Sequence, residues 1–140
     1  MTTHSGSITA ETRGNGHILD LTEDLRELVS ESGVLCGQVT AMVVGSTAAL
    51  TTLEFEPGLV NHDIVAALER IAPEHGDYEH EKTWNDDNGH SHVRASLIGP
   101  SIALPVISGQ VPLGTWQQVV LIDLDTRPRR RVIAVTVVGD

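Results

Sequence analysis

The chain has 140 residues, a net charge of −10 at pH 7 and one cysteine. That length suits a single domain, residues 1–140, with a core of its own. The acidic balance excludes nonspecific nucleic-acid binding, since phosphate contacts need a cationic surface, and a lone cysteine cannot form an internal disulfide. No apolar segment approaches membrane-spanning length and no signal peptide opens the sequence, so a reducing cytoplasm is the expected compartment, with no membrane partner.

Taken in order, Met1–Gly6 is polar and expected to fray. Ser7–Arg13 alternates apolar and polar, which predicts a strand with Ile8 and Ala10 inward. Gly14, Asn15 and Gly16 make a turn, and His17–Asp20 offers the short second arm of a hairpin. Thr22 is the expected N-cap of a helix whose apolar face is Leu21, Leu25, Leu28 and Val29, and Gly33 ends it. Val34–Val44 is a nearly continuous apolar run and reads as a central strand, with Cys36 expected as a buried, inert thiol. Gly45, Ser46 and Thr47 interrupt the run, as a β-bulge does, and leave hydroxyls and backbone donors free for an oxyanion.

Ala48–Phe55 continues extended, with Glu54 an anomalous acid that either lies in solvent or belongs to a site. Pro57-Gly58 breaks the chain. Leu59–Ile71 then carries a second amphipathic helix, ended by Ala72-Pro73. Glu74–Asn88 turns abruptly to acids, amides and histidines, a length of polar loop that usually serves function. Ser101–Ser108, a turn at Gly109-Gln110 and an extended Val111–Asp123 predict a hairpin, with Pro105 and Pro112 at edges, bulges or strand starts. A turn around Pro128 and a last strand, Arg130–Val138, complete the chain. Two main helices among six or seven strands predict an α+β fold with a largely antiparallel sheet, and so few helices leave sheet surface that oligomerisation would cover.

Five of the seven histidines lie between His62 and His92. His90 and His92 are two residues apart, so in extended backbone both imidazoles share one face and could grip one ion. In a helix they would point roughly 200° apart, so a shared metal requires strand or loop there. His80 joins them across the polar loop, and three imidazoles would leave a coordination position open. The spacing matches no strict metal signature, and the alternatives are surface histidines or a histidine acting as acid or base without metal. Asp86 and Asp87 could orient such ligands. No GxSxG, P-loop, GxGxxG, CxxC or HExxH pattern occurs. Arg127, Arg129, Arg130 and Arg131 form a cluster that reads either as a solvated turn or as a phosphate clamp. Lys82 is the only lysine among nineteen acids and eight arginines, a balance suited to concentrated salt.

The run from Asn88 to Asp125, NGHSHVRASLIGPSIALPVISGQVPLGTWQQVVLIDLD, with TRPRRRVIAVTVVGD after it, resembles the carboxy-terminal signature of the YjbQ-like family, the secondary thiamine-phosphate synthase enzymes. The likeness extends through Ser46–Leu50 (STAAL), Glu54, Pro57-Gly58 and Tyr78-Glu79-His80. It implies a YjbQ-like α+β fold, a homotrimer, and histidines near a cleft between subunits that binds a divalent ion, zinc or magnesium. It also implies thiamine-phosphate synthase activity, in which hydroxymethylpyrimidine diphosphate and a thiazole phosphate join with release of pyrophosphate. Carried onto this chain, the family's recurrent histidines fall on His80 and His92 and its acid on Glu54, and His90 joins the two histidines as the third candidate metal ligand. If that activity holds, Glu54 and Arg94 are the candidate catalytic residues, Arg94 to neutralise the leaving diphosphate, and Ser46, Thr47, Thr115, Trp116 and Gln117 are the candidate contacts to a small phosphorylated substrate. Many members have histidine where this chain has Gly45. The alternatives are a non-catalytic trimer that binds metal or metabolite, and a metal-assisted hydrolase of a small phosphorylated metabolite.

Overall fold

A computed structural model describes residues 1–140, in two antiparallel sheets and four helices. Strands β1 (Thr2–Glu11), β3 (Cys36–Val43), β5 (Ser101–Ile107) and β7 (Arg130–Gly139) form a four-stranded sheet in the order β1-β7-β3-β5. Strands β2 (His17–Asp20), β4 (Ala48–Leu53) and β6 (Gln118–Asp123) form a three-stranded sheet in the order β2-β6-β4. Helix α1 spans Thr22–Ser32, α2 spans Ile64–Ile71, α3 spans Glu79–Trp84 and α4 spans Gly89–Ile98. A π-helical turn, Leu59–Asp63, leads into α2.

The core falls in two layers. In the first, Leu25 and Val29 of α1 and the inner faces of β1, β3 and β7 meet Ala48, Leu50, Val119 and Leu121 of the small sheet. In the second, Ala49, Val120 and Ile122 on the reverse of that sheet pack against Val60, Leu68 of α2 and Ala95 of α4. β6 is therefore buried on both faces, which is why its sequence reads as an unbroken apolar run. β3 is central as expected, between β7 and β5, but alternates buried and exposed residues because the outer face of its sheet carries no covering element. Cys36 stands on that open face, exposed rather than buried.

Several local expectations are corrected. Thr2–Gly6 does not fray but pairs with β7 from Thr2↔Gly139 onward. The Gly14–Gly16 turn exists, yet it links strands of different sheets, because β1 pairs with β7 and β2 with β6. Likewise β5 and β6 are no hairpin. β5 pairs with β3, and the chain crosses to the small sheet after an isolated Ile107↔Gln110 bridge. Pro105 does lie on an edge strand. Thr22 sits inside α1, where Asp20 Oδ1 accepts from its N–H at 2.9 Å, and Gly33 closes the helix at φ 70°. Two further helices, α3 and α4, occupy the stretch expected to be loop and extended chain.

Candidate functional site

α4 is a helix whose buried residues, Gly89, His90, Ser91, Arg94 and Ala95, recur at helical spacing. Most of those positions are polar, while Val93 and Leu97 face solvent, so apolar periodicity hides the helix. Gly89 is needed at its start, because a Cβ there would come within 2.6 Å of Tyr78 Cβ. The helix separates His90 from His92 and removes the shared ion that extended backbone would have allowed. His92 instead meets His80 of α3, with ring centroids 4.4 Å apart and planes tilted by 39°. His90 turns into the protein, 1% exposed, beside Ser91 Oγ and the Tyr78 ring.

This corner holds three buried polar atoms with no hydrogen-bond partner: His80 Nδ1, Asn88 Oδ1 and His90 Nδ1. Asp86 Oδ1 lies 3.1 Å from His80 Nδ1, close enough for an ion pair if the imidazole is protonated, but the two form no hydrogen bond. Leaving such an atom unsatisfied costs about 1–3 kcal/mol, and native interiors leave few. Burial, reinforced by the Arg94 charge, holds the His90 imidazole below its ordinary 6.5 despite the opposing pull of Glu74, Glu81 and Glu69. At pH 7 His90 is therefore neutral and keeps an acceptor nitrogen.

The other expected residues go elsewhere. Arg94, 4% exposed, spends its guanidinium on the fold: Nε donates to Ala72 O at 2.8 Å and Nη2 to Glu69 Oε2 at 2.5 Å, tying α4 to α2. Two of its donor nitrogens are thereby engaged within the fold. Ser46 is exposed, but Thr47 is buried, its hydroxyl donating to Asp125 Oδ2 at 3.0 Å and accepting from Arg131 Nη2 at 2.8 Å. Glu54, Thr115, Trp116 and Gln117 are all exposed. They gather at the far end of the small sheet, where Leu53 faces Gln118 and Gln117 Nε2 donates to Thr52 Oγ1 at 3.0 Å. Thr47 adjoins the other end, where Ala48 faces Asp123.

Sequence reasoning missed a buried ion network. Arg131 donates through Nε and Nη2 to both oxygens of Asp123, at 2.8 and 2.9 Å, and Thr12 Oγ1 donates to the same carboxylate at 2.5 Å. Arg129 Nε donates to Asp125 Oδ2 at 2.8 Å. Of the four clustered arginines, Arg131 is thus buried, and Arg129, although exposed, is tied to the buried Asp125. Arg131 shares the inward register of Ile133, Val135 and Val137 in β7, a period-2 signal that was present in the sequence. Burial would raise the Asp123 and Asp125 carboxyls, but hydrogen bonds outweigh it and hold both low. The donors are Arg131 and Thr12 for Asp123, and the Thr126 N–H, Thr47 and Arg129 for Asp125. Thr126 joins this network to the histidine corner through its hydroxyl, 3.0 Å from Asp87 Oδ1.

A family model described as "UPF0047 protein YjbQ-like" matches residues 6–140. The chain belongs to the YjbQ-like family. A UPF0047 protein of Archaeoglobus fulgidus is 33% identical over 126 residues, 90% of this chain and 95% of that protein. UPF0047 protein YjbQ of Escherichia coli O157:H7 is 31% identical over 134 residues, 96% of each chain. Among solved structures, a YbjQ-like protein of unknown function from Sulfolobus solfataricus superposes with a TM-score of 0.92 at 30% identity, covering 99% of this chain and 98% of that one. A hypothetical protein from Aeropyrum pernix gives 0.88 at 32%, covering 97% and 98%. The α+β YjbQ-like fold is thereby shown.

In this YjbQ-like chain no three His, Cys, Asp or Glu side chains converge as a metal site requires. His80 and His92 offer two imidazoles with Asp86 beside them, and His90 faces the protein interior. A single subunit therefore does not build a complete ligand set. What the corner does provide is neutral and acidic hydrogen-bonding capacity in a partly buried setting, suited to orienting a polar ligand and moving a proton.

Proposed function

We propose that the α3–α4 corner binds a small phosphorylated metabolite, and that the reaction performed there is thiamine-phosphate synthesis. The observation that carries the proposal is the set of three unpartnered buried atoms on His80, Asn88 and His90. A bound ligand supplies the partners that the protein does not. The reaction itself is the one the family resemblance implies. The C–O bond between the hydroxymethyl carbon and the diphosphate breaks, the thiazole nitrogen bonds to that carbon, and pyrophosphate leaves with the electron pair.

A divalent ion, zinc or magnesium, belongs to this proposal as one held by His80 and His92 together with oxygens of the substrate. The proposed assembly is a homotrimer that meets on the open face of the four-stranded sheet. There Thr40, Met42, Ala103, Pro105, Val132 and Ala134 are accessible. Glu11 and Arg130, 3.7 Å apart, lie at one end of the β1–β7 pair, and the Met1 amine and Asp140 at the other.

The test is product analysis with hydroxymethylpyrimidine diphosphate and thiazole phosphate, on the wild type and on a folded His92→Ala variant. Thiamine phosphate and pyrophosphate in equal amounts, lost in the variant, are expected. Inorganic phosphate alone would identify a hydrolase instead, and binding without turnover would identify a non-catalytic protein.

A further inference from the structure

We infer that the Gly45–Thr47 turn, with Arg131 beneath it, is an oxyanion site for the phosphate or diphosphate group of the ligand. The inference rests on the reading that the ligand is phosphorylated, but it places the anion away from the histidine pair. Three observations meet there. The backbone N–H groups of Gly45, Ser46 and Thr47 donate no hydrogen bond, to backbone or to side chain, between the paired Val44 N–H and the β4 ladder. The guanidinium of Arg131, a residue only 6% exposed, makes all its hydrogen bonds through Nε and Nη2 and leaves Nη1 without a partner. That Nη1 lies under the turn, 2.8 Å from where a Cβ on residue 45 would stand.

Gly45 opens this access in two ways. Its φ of +128° is a conformation that residues with a side chain rarely adopt, and its lack of a Cβ leaves Nη1 uncovered. Successive free N–H groups at a turn bind anions, and an arginine N–H adds a charge-assisted bond. Ser46 is exposed beside them and forms no side-chain hydrogen bond within the chain. The carboxylates of Asp123 and Asp125 do not repel an incoming anion as free acids would, because Arg131 and Arg129 already pair with them. Arg127 and Arg130 remain largely exposed on the same chain segment.

Amide NMR of the full-length protein titrated with inorganic pyrophosphate tests this. Saturable shifts at Gly45, Ser46 and Thr47 and at the Arg131 side chain are expected, retained in His92→Ala and weakened at least tenfold in Ser46→Asp. No saturable change at these amides, an equal change with sodium chloride at matched ionic strength, or unaltered affinity in Ser46→Asp would overturn the inference. Shifts confined to the histidine corner would overturn it while leaving the proposed ligand site standing. Pyrophosphate binding at the turn without thiamine-phosphate formation would keep the cradle and remove only the synthase reading.

Discussion

At the scale of single residues, the most demanding groups are buried charges and one buried imidazole. Asp123 is fully buried and takes donors from Arg131 and Thr12. Removing one partner of such a pair strands the other, at a cost of about 3–5 kcal/mol. Asp123→Asn is therefore expected to lower unfolding free energy by that order in urea denaturation, and a change below about 1 kcal/mol would mean that the network is solvated. The folded carboxyls of Asp123 and Asp125 lie below the ordinary 3.8. Their contribution is complete above that value and is lost as pH falls through the lower folded values. His90 works in the same sense for a different reason. Its folded value lies below 6.5, so the unfolded chain binds the proton more readily. The stability it contributes is complete above pH 6.5 and declines as pH drops below it. NMR titration of the His90 imidazole should give a midpoint below 6.5, and a higher midpoint would show that an acid partner dominates burial.

At the scale of elements, α4 decides the geometry of the histidine corner. Its first turn depends on Gly89 fitting under Tyr78. Gly89→Ala should overpack that contact, cost about 1–3 kcal/mol, and displace Tyr78 from His90; unchanged thermal stability would show that the contact yields freely. The same helix shows where the sequence was legible and where it was not. Alternation placed Ile8 and Ala10 inward in β1, and Gly33 ended α1 as a left-handed residue. In α4 the inward positions are His, Ser and Arg, so the hydrophobic pattern was silent and the two-residue histidine spacing suggested strand. Strand partners were equally hidden. Local turn chemistry at Gly14–Gly16 and Gly109 predicts hairpins, whereas the long-range register sends each neighbouring strand to the other sheet. The histidine corner was legible as a composition shift, but the internal partners of Arg94 and Thr47, Glu69 and Asp125, were not, because they lie 25 and 78 residues away in sequence.

At the scale of the whole molecule, a chain of net charge −10 presents a broad, almost chargeless sheet face. Such a face on an acidic protein is suited to a copy of itself, since burial there strands no charge. Ala134→Glu should break the proposed homotrimer, and sedimentation velocity would then report the monomer mass. A variant that keeps the wild-type mass would move the interface to another surface. No helix is long and apolar enough to cross a membrane. Within one subunit, Glu54, Thr115, Trp116 and Gln117 lie at the end of the small sheet where Leu53 faces Gln118.

The central claim is that the unpartnered atoms of His80, Asn88 and His90 mark a ligand site. Imidazole nitrogen NMR of the assembled protein, before and after hydroxymethylpyrimidine diphosphate is added, tests it most directly. Saturable shifts of the His80, His90 and His92 ring nitrogens are expected, with His4 and His17 unmoved. Unmoved resonances at the α3–α4 corner, with the diphosphate bound elsewhere on the protein, would contradict it.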